Sequence, residues 1–91
     1  MNSIDSKGRA LVIGASSGMG AALVRQLVRE GYSVGGVARR GEALVALAQE
    51  LASEAGSFMH RAHDVTDAGE APDVFDELVS ELGGLDLFIY A

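Results

Sequence analysis

Four short apolar runs alternate with three amphipathic stretches along the 91 residues, and no other feature constrains the fold as tightly. The runs cover residues 10–14, 32–38, 57–63 and 85–91. Strands that alternate with helices of about 10–15 residues form β-α-β crossovers, and such crossovers make a parallel sheet. The chain is therefore expected to be one α/β unit, with no internal repeat beyond the alternation and no interdomain linker.

The stretches between the runs carry the helical period. From Gly18 to Glu30, Met19, Leu23 and Leu27 recur every fourth position, with Val24 and Val28 widening the stripe. Gly31 then stands where a helix C-terminus favours a left-handed residue. Leu44, Leu47, Ala48 and Leu51 follow the i, i+3, i+4, i+7 spacing, with Gly56 as the expected stop. Phe75, Leu78, Val79 and Leu82 repeat it, with Pro72 at the first helical position and Gly83-Gly84 at the end. Gly35 and Gly36 are expected to loosen the second strand, and the third has a mixed polarity pattern.

Composition bounds the partners. Apolar residues at 48% supply a core, and 22% charged residues is ordinary for a globular chain. The net charge of −6 argues against nucleic acid or an anionic membrane as a partner. There is no cysteine, hence no disulfide, thiolate metal site or Cys nucleophile. The N-terminus is polar and no apolar run approaches the ~20 residues of a membrane span, so a cytoplasmic location is expected.

Residues 13–20, "IGASSGMG", hold three glycines and two serines where the first strand meets the first helix. Glycine inside regular structure costs about 0.5–1 kcal/mol relative to alanine, so this junction favours bare backbone over side chains. A helix N-terminus offers unpaired N–H groups and a partial positive charge, and exposed backbone lets a diphosphate reach them. Gly14 would make the tight turn, Gly18 would clear space for phosphate, and Gly20 would let the helix pack near the sheet. Ser16 and Ser17 add hydroxyl donors. A structural turn that binds nothing is the alternative.

The segment resembles the coenzyme loop of the short-chain dehydrogenase/reductase family, T-G-x-x-x-G-[IL]-G. Ile13 stands in place of the Thr and Met19 in place of Ile or Leu. The resemblance implies a Rossmann-like doubly wound parallel sheet of strand order 3-2-1-4 and a nicotinamide coenzyme. Members that prefer NAD carry an acidic residue at the end of strand two. Here the chain reads Val37-Ala38-Arg39-Arg40, so the resemblance implies NADP(H), with Arg39 first and Arg40 second as partners of the 2′-phosphate. Solvated charges opening the next helix are the alternative. After strand three, Asp64-Val65 is similar to the family's Asp-Val step, whose carboxylate and following N–H bracket the adenine. At strand four, "DLFIYA" aligns with D-x-L-V-N-N, placing Tyr90 and Ala91 where the family has two Asn.

The family's catalytic Ser, Tyr-x-x-x-Lys and further Asn follow strand four and are absent from these residues. The two tyrosines are Tyr32 and Tyr90, and Lys7 is the lone lysine. No catalytic residue is therefore assigned. The expected role is the cofactor-binding first part of an NADP(H)-dependent oxidoreductase acting on a carbonyl or alcohol, truncated and unable to turn over alone. A stand-alone NADP(H)-binding regulatory module, or a purely structural fragment, are the alternatives. On that topology strand four is an unprotected apolar edge, through which the chain would associate with a partner or a missing half.

The remaining polar residues suggest no chemistry. His60 and His63 are expected to be ordinary strand or loop histidines, with no metal site. Glu50, Glu54, Asp73, Asp76, Glu77 and Glu81 read as solvated helix faces, and Met59 as core filler.

Overall fold

The computed structural model describes residues 7–16, 18–63 and 71–90, with the side chains of residues 71 and 72 set aside. The elements run β1 (Arg9–Ile13), α1 (Gly18–Arg29), β2 (Ser33–Ala38), α2 (Gly41–Glu50), β3 (Ser57–Ala62), α3 (Ala71–Leu82) and β4 (Leu87–Tyr90). All strand pairs are parallel, in the order β3-β2-β1-β4. This is the expected Rossmann-like sheet. No described helix is long and apolar enough to cross a membrane.

The sheet is buried on both faces near its centre. On one side Ala10, Val12 and Val34 pack with Val24 and Val28 of α1 and with Leu44 and Leu47 of α2. On the other, Leu11, Ile13 and Val37 pack with Leu78 of α3, joined by Met59 and Phe75. Alternate residues of one strand thus serve opposite faces, and β1 needs an unbroken apolar run to cover both.

Several expectations are corrected. Of the expected α1 stripe, Val24 and Val28 are buried and Leu27 packs against the same core, but Met19 is 72% exposed, and Gly20 and Ala21 complete the buried face instead. Gly20, Ala21, Val24 and Val28 together form the face turned to the sheet. α2 ends at Glu50, with Leu51 as its C-cap, well before Gly56. Gly56 serves instead as a backbone crossing: its N–H donates to Val28 O at 2.8 Å, and a Cβ there would lie 2.1 Å from Tyr32 O. Gly35 and Gly36 do not loosen β2. Both are buried, and a Cβ on Gly36 would lie 2.7 Å from the Phe58 ring and 2.9 Å from the Ala15 methyl.

Gly31 behaves as expected. At φ +104° it closes α1, while Gly31 N–H donates to Val28 O and Tyr32 N–H to Leu27 O, both at 3.0 Å. The same pair of bonds, from Gly83 and Gly84, closes α3.

The exposed edge is also as expected. Phe88 and Tyr90 of β4 are 51% and 72% exposed, and Leu87 is exposed beside them. Pro72 is the second residue of α3 rather than its first.

Candidate coenzyme site at the strand C-termini

Because every strand is parallel, all four chain exits from the sheet lie on one edge. Ile13 pairs with Val37 on one side and Tyr90 on the other, and Ala38 pairs with Ala62. The glycine loop after β1, the Arg39-Arg40 step after β2 and His63 after β3 therefore emerge together. β1 and β4 are neighbours: α1, which leaves β1, packs on one face of the sheet, and α3, which leads into β4, packs on the other. In open α/β sheets such a reversal opens a crevice at the strand C-termini, and ligands bind there.

The glycine loop is built as the sequence suggests. Gly14 takes φ +83°, a conformation that L side chains rarely adopt, and turns the chain out of β1. Val37 O accepts hydrogen bonds from Gly14 N at 2.8 Å and Ala15 N at 3.1 Å, tying the loop to β2. Gly18 opens α1, is exposed, and among the described residues nothing beyond its chain neighbours and its own helix backbone comes within 4 Å of where its Cβ would be. The space above it is open. Gly20 is buried against the sheet side of the helix.

Charge around the loop favours an anion. α1 has no acidic residue in its first turn, whereas α2 has Glu42 and α3 has Asp73 there. An acid in the first turn would offset the helix's positive end, so α1 keeps that end available.

The arginines sort into two groups. Arg9 is paired with Asp86, Arg25 and Arg29 with Glu50, Arg29 with Glu54, and Arg61 with Glu77 and Glu81. Four of the expected solvated carboxylates, Glu50, Glu54, Glu77 and Glu81, are thus engaged by cations. Arg39 and Arg40 are exposed, and neither guanidinium has a partner among the described residues. Among the described residues, no carboxylate pairs with either arginine at the end of β2.

Arg40 is also the N-cap of α2, with extended backbone and no side-chain cap hydrogen bond. Ser16 is half-buried and lines a cleft of about 240 Å³ between α1 and α2, shared with Ala43 in the first turns of α2 and with the Arg25–Glu50 pair. The loop serine and the start of α2 therefore face one another. Ala38 is buried and its carbonyl accepts a hydrogen bond from His63 N at 2.8 Å. His63 Nε2 is buried without a hydrogen-bond partner among the described residues, and His60 stacks near Phe58 at 5.7 Å between ring centroids.

Met19, Gly14, Gly18 and Gly20 are thus brought to the same strand edge as Arg39 and Arg40. Ser17, Asp64, Val65 and Ala91 lie outside the described residues. The sequence reading missed Ala15, a fully buried loop residue, and the contact it makes over Gly36. Two adjacent glycines inside a strand were the available signal, since glycine there often marks close backbone approach.

The family pattern of the short chain dehydrogenases matches residues 8–91. Serine 3-dehydrogenase of Agrobacterium fabrum is 37% identical over 82 residues, covering 90% of this chain and 32% of that protein. A variant of actinorhodin polyketide ketoreductase, solved with NADPH, superposes with a TM-score of 0.86 at 32% identity, covering 100% of this chain and 34% of that one. A metagenomic short-chain oxidoreductase in complex with NADP gives 0.82 at 30% identity, covering 91% and 38%. The chain spans only about a third of the length of these relatives. The match of nearly the whole chain to one family, on a sheet of that family's order, shows that the chain belongs to the short-chain dehydrogenases.

Proposed function

We propose that these residues form the cofactor-binding first part of an NADP(H)-dependent oxidoreductase acting on a carbonyl or alcohol. The observation that carries the reading is the Arg39-Arg40 step, unpaired among the described residues, beside an open glycine loop whose helix has no acid in its first turn. The loop N–H groups and Ser16 would hold the diphosphate, with Met19 and Gly20 completing the turn of backbone around it. Arg39, and then Arg40 with the uncapped start of α2, would take the 2′-phosphate. Asp64 and Val65 would bracket the adenine, and Ala91 would lie on the ribose side.

The residues fit the group on two counts: a side chain at Gly18 would fill the space the phosphates need, and the planar guanidinium forks of Arg39 and Arg40 match a phosphate monoester. The relatives solved with NADPH and NADP support the same choice. When bound, the coenzyme supplies hydride chemistry. The chain's own residues bind and orient it, and none of them is assigned to proton transfer.

Calorimetric titration with NADPH and NADH tests the reading. Saturable NADPH binding, tighter than NADH binding, is expected. No heat with either coenzyme would overturn it.

A further inference from the structure

We propose that Gly36, in the middle of β2, is a positioning residue that sets how deep the glycine loop sits on the sheet. Ala15 is fully buried, and its methyl would be 2.9 Å from a Cβ placed on Gly36. Ordinary carbon–carbon contacts are about 3.5–4.0 Å. Ala15 therefore occupies the volume that any side chain at residue 36 would claim. The same missing Cβ leaves room for the Phe58 ring, 2.7 Å away on β3.

Two bonds fix the loop at that depth. Gly14 N and Ala15 N both donate to Val37 O, one residue beyond Gly36. A methyl at position 36 lifts Ala15 by roughly half an ångström or more to reach a normal contact, and those two bonds stretch with it. The N–H groups that open α1 move as a unit with Ala15, because the loop is short and α1 begins at Gly18. Misplacement of about an ångström can cost a binding or catalytic site up to about a hundredfold.

This inference rests on the coenzyme reading for its consequence but not for its geometry, and the experiment separates them. Gly36→Ala is made in the 91-residue chain alone, with Ala15→Gly, and with Phe58→Leu. Hydrogen exchange at the Gly14 and Ala15 amides reads the loop without ligand, and NADPH affinity reads the consequence. Gly36→Ala is expected to speed exchange at both amides and weaken NADPH about tenfold or more. Adding Ala15→Gly restores affinity, whereas adding Phe58→Leu recovers melting temperature and leaves affinity low. Unchanged exchange in a folded Gly36→Ala variant, or affinity restored equally by Phe58→Leu, overturns the role of Gly36. If the unaltered chain binds no NADPH, the coenzyme reading falls while the exchange result still decides the positioning claim.

Discussion

Arg9 and Asp86, 77 residues apart, clasp the N-terminal edge of the sheet: Arg9 N donates to Asp86 Oδ2 at 2.9 Å, and Asp86 N donates to Arg9 O at 2.8 Å. The Arg9 side chain also donates from Nε to Leu82 O at 3.0 Å, satisfying a carbonyl at the end of α3. One residue thus ties the start of β1, the end of α3 and the approach to β4. Asp86→Ala removes the acceptor for a backbone N–H and should destabilise the fold by about 1 kcal/mol. Urea unfolding checks this, and an unmoved midpoint would show the clasp to be incidental.

Gly56 offers a harsher test of packing. A Cβ there would meet Tyr32 O and Val28 O, backbone atoms that cannot swing aside. Gly56→Ala should cost about 3 kcal/mol or more, at or beyond the usual range for overpacking. Wild-type thermal stability in this variant would contradict the close crossing.

These two sites show what the sequence made readable. The parallel sheet followed from the alternation of apolar runs and amphipathic stretches, whereas the strand order 3-2-1-4 came only with the resemblance of the glycine loop to the short-chain dehydrogenases. Gly14 was legible too, since a tight turn into a helix requires a left-handed residue. Met19 was misread: hydrophobic spacing cannot tell where the buried stripe ends, and the stripe's Val24 and Val28 face the sheet while Met19, in the first turn, does not. Gly56 and Gly36 looked like a stop and a weak point, because the atoms that require them come from distant parts of the chain. That Arg39 and Arg40 have no partner among the described residues was equally hidden, since it depends on where the carboxylates fold.

Glu50 sits between Arg25 and Arg29, and the Arg25 hydrogen bond holds its carboxyl below the ordinary value of 4.5. A depressed carboxylate stabilises the fold at pH above its unfolded value, and that contribution disappears as pH falls through the folded value. Glu50→Gln should therefore be slightly less stable than the parent near neutrality, with the gap closing below about pH 4.5. Both groups are substantially exposed, so added salt should also shrink the gap. A gap that widens in acid would contradict the pairing.

The open edge of β4 should make the isolated 91 residues self-associate. Phe88 and Tyr90 lie exposed on a strand with no charge or proline to discourage pairing. Phe88→Lys is expected to lower concentration-dependent light scattering and binding of an apolar-surface dye. A chain that stays monomeric and binds no such dye before any substitution would refute this.

Arg39→Ala should erase most of the preference for NADPH over NADH. A charge-assisted bond to phosphate is worth about 1.5–3 kcal/mol, or roughly ten- to a hundredfold in affinity. Arg40→Ala should have the smaller effect. Competition between the two coenzymes measures the ratio, and an undiminished preference in Arg39→Ala would remove that residue from the site.

The claim at the centre is that backbone N–H groups between Gly14 and Gly20 grip a diphosphate. Amide NMR shifts followed during NADPH titration address it directly. The account predicts saturable shifts concentrated at those amides and at Arg39. Saturable binding that leaves the loop amides unmoved, with shifts confined to another surface, would contradict it.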